Sequence, residues 1–285
     1  MKFGVIGPGK MGRLYLRDFI NLGGNLNYIK SSSKNKTEKL KNKLIKIGKL
    51  KNKKLKDLDT LIISSKTNTH YKYINKFFRK KKLLIEKPFF FCKNKSYNWH
   101  LKKAKLFLKS GQSISVNLSN YILADAYKKQ LNLKPIKKDK FYFSFYTQGK
   151  SKFKFIILDL MPHFFSIIQR LTTCNKMKII SKKINKYSCN LILKIDNFEC
   201  FIDLKENQKN KSLSFGFEDF IFLRRQYLYK NFLKNFICNK EYKIKIETPN
   251  PFTYFIQDYY KNNGISNLSK EFIYKNFDLT LKTYF

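Results

Sequence analysis

Alanine and arginine are nearly missing from this sequence: three Ala and six Arg occur in 285 residues, against 54 Lys. Acidic residues are also scarce, 19 against 60 Lys and Arg, so the formal charge is +41. Such a surplus ordinarily points to a polyanionic partner. A nucleic-acid reader, however, concentrates its charge and uses arginine for bidentate contacts. Here lysines recur through 34–56, 72–82, 93–109, 128–140, 176–194, 205–211 and 230–245. Phe, Ile, Asn and Tyr are abundant while Gly and Pro number only 11 and 6, a bias spread over every segment as an A/T-rich coding sequence would spread it. No specific nucleic-acid partner is therefore expected, although the field favours anionic ligands. The five cysteines contain no C-x-x-C pair and are odd in number, which argues for reduced thiols and against a structural zinc site; no metal is expected. No secretory signal is expected, since the first strand opens at Lys2. No uninterrupted apolar run approaches the roughly 18 residues that span a bilayer. Even Phe153–Leu171, the most apolar stretch, carries Lys154, Asp159, His163 and Arg170. The expected setting is cytoplasmic, with no membrane partner.

What is present is a change of pattern along a chain long enough for two domains. Strand-like and helix-like stretches alternate first: strands at Lys2–Ile6, Leu26–Lys30, Leu61–Ser64, Leu83–Ile85 and Ile114–Leu118, helices over Lys10–Leu22, Lys34–Ile47, Tyr71–Lys81 and Ser96–Ser110. This alternation predicts a parallel, doubly wound sheet. Later the period becomes two. Phe141, Phe143 and Phe145 alternate, as do Leu191, Leu193 and Ile195, then Phe198, Cys200, Ile202 and Leu204 beyond an Asp196-Asn197 turn, then Leu213, Phe215 and Phe217. An antiparallel meander is expected. Phe252, Phe255, Ile256, Tyr259 and Tyr260 mark one face of a late helix. A boundary near 118–125 divides the chain into two domains, residues 1–120 and 121–285.

The stretch GPGKMG, Gly7-Pro8-Gly9-Lys10-Met11-Gly12, directly follows the first strand and opens the first helix. In a G-x-G-x-x-G turn the first glycine makes the tight turn, the second lets the backbone approach a pyrophosphate and the third allows close packing. Two more stretches add specificity: Ser64-Ser65-Lys66-Thr67-Asn68-Thr69-His70 with Glu86-Lys87-Pro88 soon after, and Asp159-Leu160-Met161-Pro162-His163. In this order the three motifs resemble the glucose–fructose oxidoreductase and inositol dehydrogenase family of NAD(P)-dependent oxidoreductases (Gfo/Idh/MocA), and the resemblance runs the length of the chain. It implies an N-terminal Rossmann dinucleotide-binding domain over residues 1–120, followed by a C-terminal α/β substrate-binding and oligomerisation domain over 121–285 with an open, largely antiparallel sheet. It also implies hydride transfer between a nicotinamide and a secondary alcohol or ketone of a sugar or sugar derivative. Cofactor contacts are then expected at Gly7 to Gly12, Ser31, Ser32, Ser65, Asn68, His70, Glu86 and Lys87, with His70 shaping the nicotinamide-side loop.

Lys87, at the end of a buried strand beside Glu86, is expected to be held and partly desolvated, which suits proton transfer. Asp159 and His163 are four apart and share a helix face. Because proline is tolerated in a first turn, Pro162 predicts a helix starting near Asp159, with that carboxylate at the positive end of the dipole. Lys87, His163 and Asp159 are the expected catalytic residues. NADP should be accepted at least as well as NAD, since Lys30-Ser31-Ser32-Ser33-Lys34 offers no carboxylate to repel a 2′-phosphate. The substrate is expected to be anionic. The resemblance also implies a homo-oligomer associating through the open face of the second sheet, a face the Phe-rich strands at 141–145 and 213–217 are expected to supply. Ser166 and Met161 replace the family's usual Asp and Gly, Lys66 replaces a proline, the arginines often found after the strand ending near Leu118 are missing, and the modest length predicts a trimmed second domain. Two other readings remain: a catalytically silent dinucleotide- or sugar-binding member, and a polyanion-binding protein on a Rossmann framework. Phe89-Phe90-Phe91, Trp99 and His100 are read as core and ordinary helix residues.

Overall fold

The computed structural model describes residues 1–31, 33–46, 57–111, 113–131, 139–218, 220–229, 232–240 and 243–285. Two compact units are formed, one from Met1–Asn117 with Phe252–Phe277, the other from Leu118–Pro251 with Asp278–Phe285. Residues 252–277, expected within the second domain, therefore count with the first. The aromatic stripe explains it: Phe255, Ile256 and Tyr259 are fully buried, and the rings of Tyr259 and Tyr260 meet Phe19.

The first unit is an α/β sandwich. Strands β1 (Lys2–Ile6), β2 (Asn25–Lys30), β3 (Thr60–Ile63), β4 (Lys82–Ile85) and β5 (Ser113–Val116) form one parallel sheet in the order β2-β1-β3-β4-β5. The chain leaves β1 toward β2 and returns to its other side for β3, so the order reverses at β1. Ligands of such sheets bind beyond the strand ends at this point. The helices are α1 (Lys10–Asn21), α2 (Lys34–Lys46), α3 (Thr67–Phe77) and α4 (Tyr97–Ser110), with α7 (Pro251–Lys261) arriving late in the chain. Burial of β3 is complete, as a strand covered on both faces requires. Phe89, Phe90 and Phe91 are buried as expected, Phe90 packing on Phe107 and Phe277.

In the second unit α5 (Tyr121–Leu131) and α6 (Phe155–Leu171) cover one face of a mixed sheet. Its strands are β6 (Lys140–Tyr146), β7 (Met177–Ile184), β8 (Ser188–Ile195), β9 (Phe198–Lys205), β10 (Ser212–Phe217), β11 (Phe220–Tyr229), β12 (Phe232–Asn239) and β13 (Lys245–Thr248). Their order is β13-β12-β11-β10-β6-β9-β8-β7. The turn at Asp196-Asn197 forms as expected, with Ile195 paired to Phe198. The meander is interrupted, however. β6 lies between β9 and β10, parallel to one and antiparallel to the other, because α6 carries the chain over the sheet before β7 begins. Alternation reports which face a strand buries, not which neighbour it takes.

The same alternation overturns the expected source of an open face. Phe141, Phe143, Leu213, Phe215 and Phe217 all point under the helices and are at most 3% exposed. The opposite face of β6 and β9 carries the stacked pair Tyr142 and Phe201 instead. Helix α8 (Lys270–Tyr284) ends the described chain. Among the described residues no helix is long and apolar enough to cross a membrane, and no group of three or more His, Cys, Asp or Glu side chains is gathered as for a metal. All five cysteines are free thiols.

Candidate active site

At the carboxyl end of β1 the three glycines answer to three different demands. Gly7 has φ +85°, and a Cβ there would lie 2.4 Å from the Ser65 backbone; its N–H donates to Lys30 O (2.8 Å). A Cβ on Gly12 would lie 2.3 Å from Gly7 O. Around Gly9 a Cβ would meet nothing within 4 Å. Gly9 is also the N-cap of α1 and supplies no side-chain cap, and the first turn holds no acidic residue. Two glycines are thus demanded by the protein's own backbone, while the third faces open space at an uncapped helix N-terminus. A pyrophosphate fits this cradle, since the N–H groups and dipole of a helix start attract anions. Pro8 is buried in the turn, Lys10 is exposed at the first helical position, and Met11 is half-buried behind it.

The neighbouring strand ends close around this turn. Ser64 Oγ donates to Gly7 O (2.8 Å), tying β3 to β1. Ser65 shares a hydroxyl hydrogen bond with Thr69 (2.7 Å). At the end of β2, Ser31 N–H donates to Thr37 Oγ1 (2.9 Å). Ser32 lies outside the described residues. Helix α3 begins at Thr67, four residues before its expected start, so Asn68 and His70 belong to its first turns and not to a loop. Thr-Asn-Thr reads as loop by propensity, but Thr69 hydrogen-bonds back to Lys66 O (2.7 Å) and the buried ring of His70 anchors the turn. His70 Nε2 faces Ser65 O at 2.8 Å, and Nδ1 faces Pro88 O at 3.1 Å and Phe89 O at 3.3 Å. Burial lowers the pKa of His70 against the opposing pull of these carbonyls. The ring therefore links the loop after β3 to the segment after β4, next to half-buried Lys87 and the cis Lys87-Pro88 peptide.

Glu86 is buried inside the first unit. Tyr15 of α1 donates to its Oε2 (2.7 Å), and Asn117 beyond β5 donates both to that oxygen (3.2 Å) and to the Tyr15 hydroxyl (2.8 Å). Desolvation, then the Glu86 charge, raise the Tyr15 pKa well above its ordinary value, which keeps the phenol a donor. The carboxylate thus fastens α1, β4 and β5 beneath the residue that follows it. Sequence reasoning missed Tyr15 and Asn117. Asn117 lies in the stretch that lacks the family's arginines, and Tyr15 is one more aromatic on a buried helix face.

In the second unit α6 starts at Phe155, not near Asp159, and Pro162 lies in its interior. The inward residues Ile156, Ile157 and Leu160 are all at most 2% exposed, and their packing extends the helix ahead of the proline. Asp159 consequently sits in the second turn, where it accepts from Ser151 Oγ (2.9 Å) and gains less from the dipole than a first-turn residue. His163 lies one turn further on the same face. Its ring packs edge-on against Phe145 at 5.0 Å, and Asn120 Nδ2 donates to its Nδ1 (3.2 Å). With Nδ1 accepting, neutral histidine carries its proton on Nε2. Asn120 and Ser151 were not anticipated. Met161 and Ser166, the departures from the family pattern, are both fully buried, and Ser166 donates back to His163 O (2.8 Å).

Residues 1–111 match the family described as an oxidoreductase family with an NAD-binding Rossmann fold. These residues belong to that family. The solved structures extend the likeness over the second unit. UDP-N-acetylglucosamine 3-dehydrogenase GnnA from Acidithiobacillus ferrooxidans superposes with a TM-score of 0.69 at 13% identity, covering 99% of this chain and 96% of that one. The dehydrogenase MviM from Clostridium difficile gives 0.69 at 13% identity, with 99% and 98% covered. KijD10, a 3-ketoreductase from Actinomadura kijaniata solved with TDP-benzene and NADP, gives 0.70 at 12% identity, with 98% and 95% covered. Identities this low establish the shared fold alone. Coverage of 95–98% of these chains corrects the expectation of a trimmed second domain. No curated protein sequence matches the chain.

Proposed function

We propose that the protein is an NAD(P)-dependent oxidoreductase that interconverts a secondary alcohol and a ketone on a sugar or sugar derivative. The glycine turn supports this reading most: of three glycines in the motif, the one whose Cβ would meet no protein atom is the one a pyrophosphate approaches. Ser31 and the Lys30 side of the turn carry no carboxylate, which favours acceptance of NADP at least equal to that of NAD. A bound nicotinamide supplies the hydride acceptor or donor. Lys87 and His163 manage the substrate hydroxyl proton, and Asp159 orients the substrate or the imidazole. The Nε2 proton of His163 suits it to donate in ketone reduction. Burial of Met161 and Ser166 favours an active enzyme over a silent relative, because those departures fall in the core. Self-association through the uncovered face of the second sheet belongs to the same proposal.

General acid–base assistance contributes roughly 10²–10⁴ in rate. Lys87→Met and His163→Ala should each lower turnover within about that range on an accepted sugar, with dinucleotide affinity nearly unchanged by fluorescence titration. The double variant should lose less than the product of the two effects, because groups acting as one unit are not additive. Near-normal turnover in Lys87→Met would show that the proton is handled elsewhere.

A further inference from the structure

At one end of the second sheet, three hydrogen-bonding side chains on adjacent strands each keep one buried polar atom without a partner. Across β11, β12 and β13, Gln226 is opposite Asn235 and Asn235 is opposite Thr248, while Arg224 lies two residues along β11 on the same face. Arg224 Nη2 and Gln226 Nε2 both donate to Asn235 Oδ1, at 3.2 and 2.5 Å. That oxygen is thereby saturated, and the amide turns its Nδ2 away from both donors. Among the described residues Arg224 Nε, Asn235 Nδ2 and Thr248 Oγ1 have no hydrogen-bond partner. Asn235 is 1% exposed and Thr248 4%. Desolvation pulls the Arg224 pKa down to about 10. Arg224 is half-buried, and a partly desolvated guanidinium is favoured by an opposite charge. Water would satisfy the amide and the hydroxyl but would leave the charge uncompensated. Each of these three groups can donate, so the complement is an acceptor with negative charge.

The position of this cluster connects it with His163. Phe145 of β6 pairs with Leu213 of β10, and Ser214 pairs with Leu223 of β11. One further step of that register sets Arg224 opposite Leu213, on the helix-covered face with Phe145. Two strand spacings amount to about 10 Å. Phe145 is the residue whose ring holds the His163 imidazole edge-on. A hexose reacting at His163, together with a charged substituent at its far end, would span the separation to Arg224, with Asn235 and Thr248 on the two strands beyond.

We infer that Arg224, Asn235 and Thr248 form a subsite for an oxyanion of the substrate, a sugar phosphate or a sugar carboxylate; the identity of the occupant as substrate rests on the oxidoreductase reading above. The field of a +41 chain attracts anions everywhere, so the test must separate one site from sixty cations. Calorimetric titration of the full chain with glucose 1-phosphate, glucuronate and glucose does so. One of the two anions should bind, identifying phosphate or carboxylate, and glucose should not. Charge-assisted hydrogen bonds to an anion imply that Arg224→Met weakens that binding about 10- to 100-fold. The exposed control Lys178→Met removes the same charge and should leave binding intact. Thr248→Val, nearly isosteric, should weaken it several-fold and serves where Arg224→Met melts early. Failure of both anions to bind, or equal binding by wild type, Arg224→Met and Thr248→Val, overturns the subsite. Titration of the same proteins with NADH and NADPH keeps the two ideas apart. Dinucleotide binding without anion binding removes only the subsite, whereas anion binding through Arg224 with neither NADH nor NADPH bound removes only the oxidoreductase reading.

Discussion

The amide N–H of Asn120 is directed at Nδ1 of His163 and selects the tautomer with the proton on Nε2. A net hydrogen bond is worth about 1 kcal/mol, or roughly fivefold in a rate that depends on it. Asn120→Leu should therefore lower turnover by about that factor, with dinucleotide affinity unchanged and partial recovery in Asn120→Gln. His70 makes a different prediction. Its folded pKa is held below the unfolded value near 6.5, so the folded state resists protonation more than the unfolded chain does. Stability should be intact above about pH 6.5 and should decline as pH falls from there toward the folded pKa, by up to about 1.4 kcal/mol per pH unit. Denaturant melts of His70→Gln should show a flatter profile across that window. The profile should not become level, because burial lowers the pKa of His100 as well. An unchanged slope would place the titration of His70 elsewhere.

At the scale of elements, the glycine turn makes a contrast that separates folding from binding. Gly7→Ala should cost about 2 kcal/mol or more, since φ +85° disfavours any Cβ and the added atom would meet the Ser65 backbone. Gly9→Ala should change stability by less than about 0.5 kcal/mol, its φ of −74° being ordinary and its surroundings open. It should nevertheless weaken dinucleotide binding about tenfold or more. Thermal melts and fluorescence titrations of the two variants check this, and a Gly9→Ala protein that binds normally would remove the pyrophosphate from the turn. This motif was legible because its glycines answer to local geometry and stand between a readable strand and helix. The start of α3 was not, since His70 anchors it to carbonyls near Pro88, 18 residues away. The start of α6 was hidden in the same way. Pro162 is a strong local signal, and only the packing of Ile156, Ile157 and Leu160 overrides it. Parity along β6 and β10 told which residues go inward. It could not tell that β6 would separate β9 from β10, because strand order is decided by the crossover through α6. Tyr15, Asn117 and Asn120 escaped for a related reason: each matters through partners 31 or more residues away.

For the whole molecule the governing fact is that 19 carboxylates cannot neutralise 60 cations. Some ion pairs form, including the two-pronged contact of Arg170 with Asp125, but most of the positive charge has no acidic group available to it. Net repulsion then opposes the compact state. Salt screens repulsion and attraction alike, so the sign of its effect tells which dominates. Between 0.1 and 1 M NaCl the screening length falls from about 10 to about 3 Å. The melting temperature should rise by a few degrees over this range, the equivalent of about 1 kcal/mol for a chain of this size. Acid should act oppositely, because protonating the carboxylates takes the formal charge from +41 toward +60. Duplex DNA probes the same field from outside. A diffuse field should bind it without sequence preference and release it steeply as salt increases, because each displaced counterion adds to the slope. A melting temperature that falls with salt would mean that specific ion pairs outweigh the repulsion. Sequence-selective DNA binding persisting at physiological salt would mean that the lysines are arranged for a partner and are not simply a property of the whole chain.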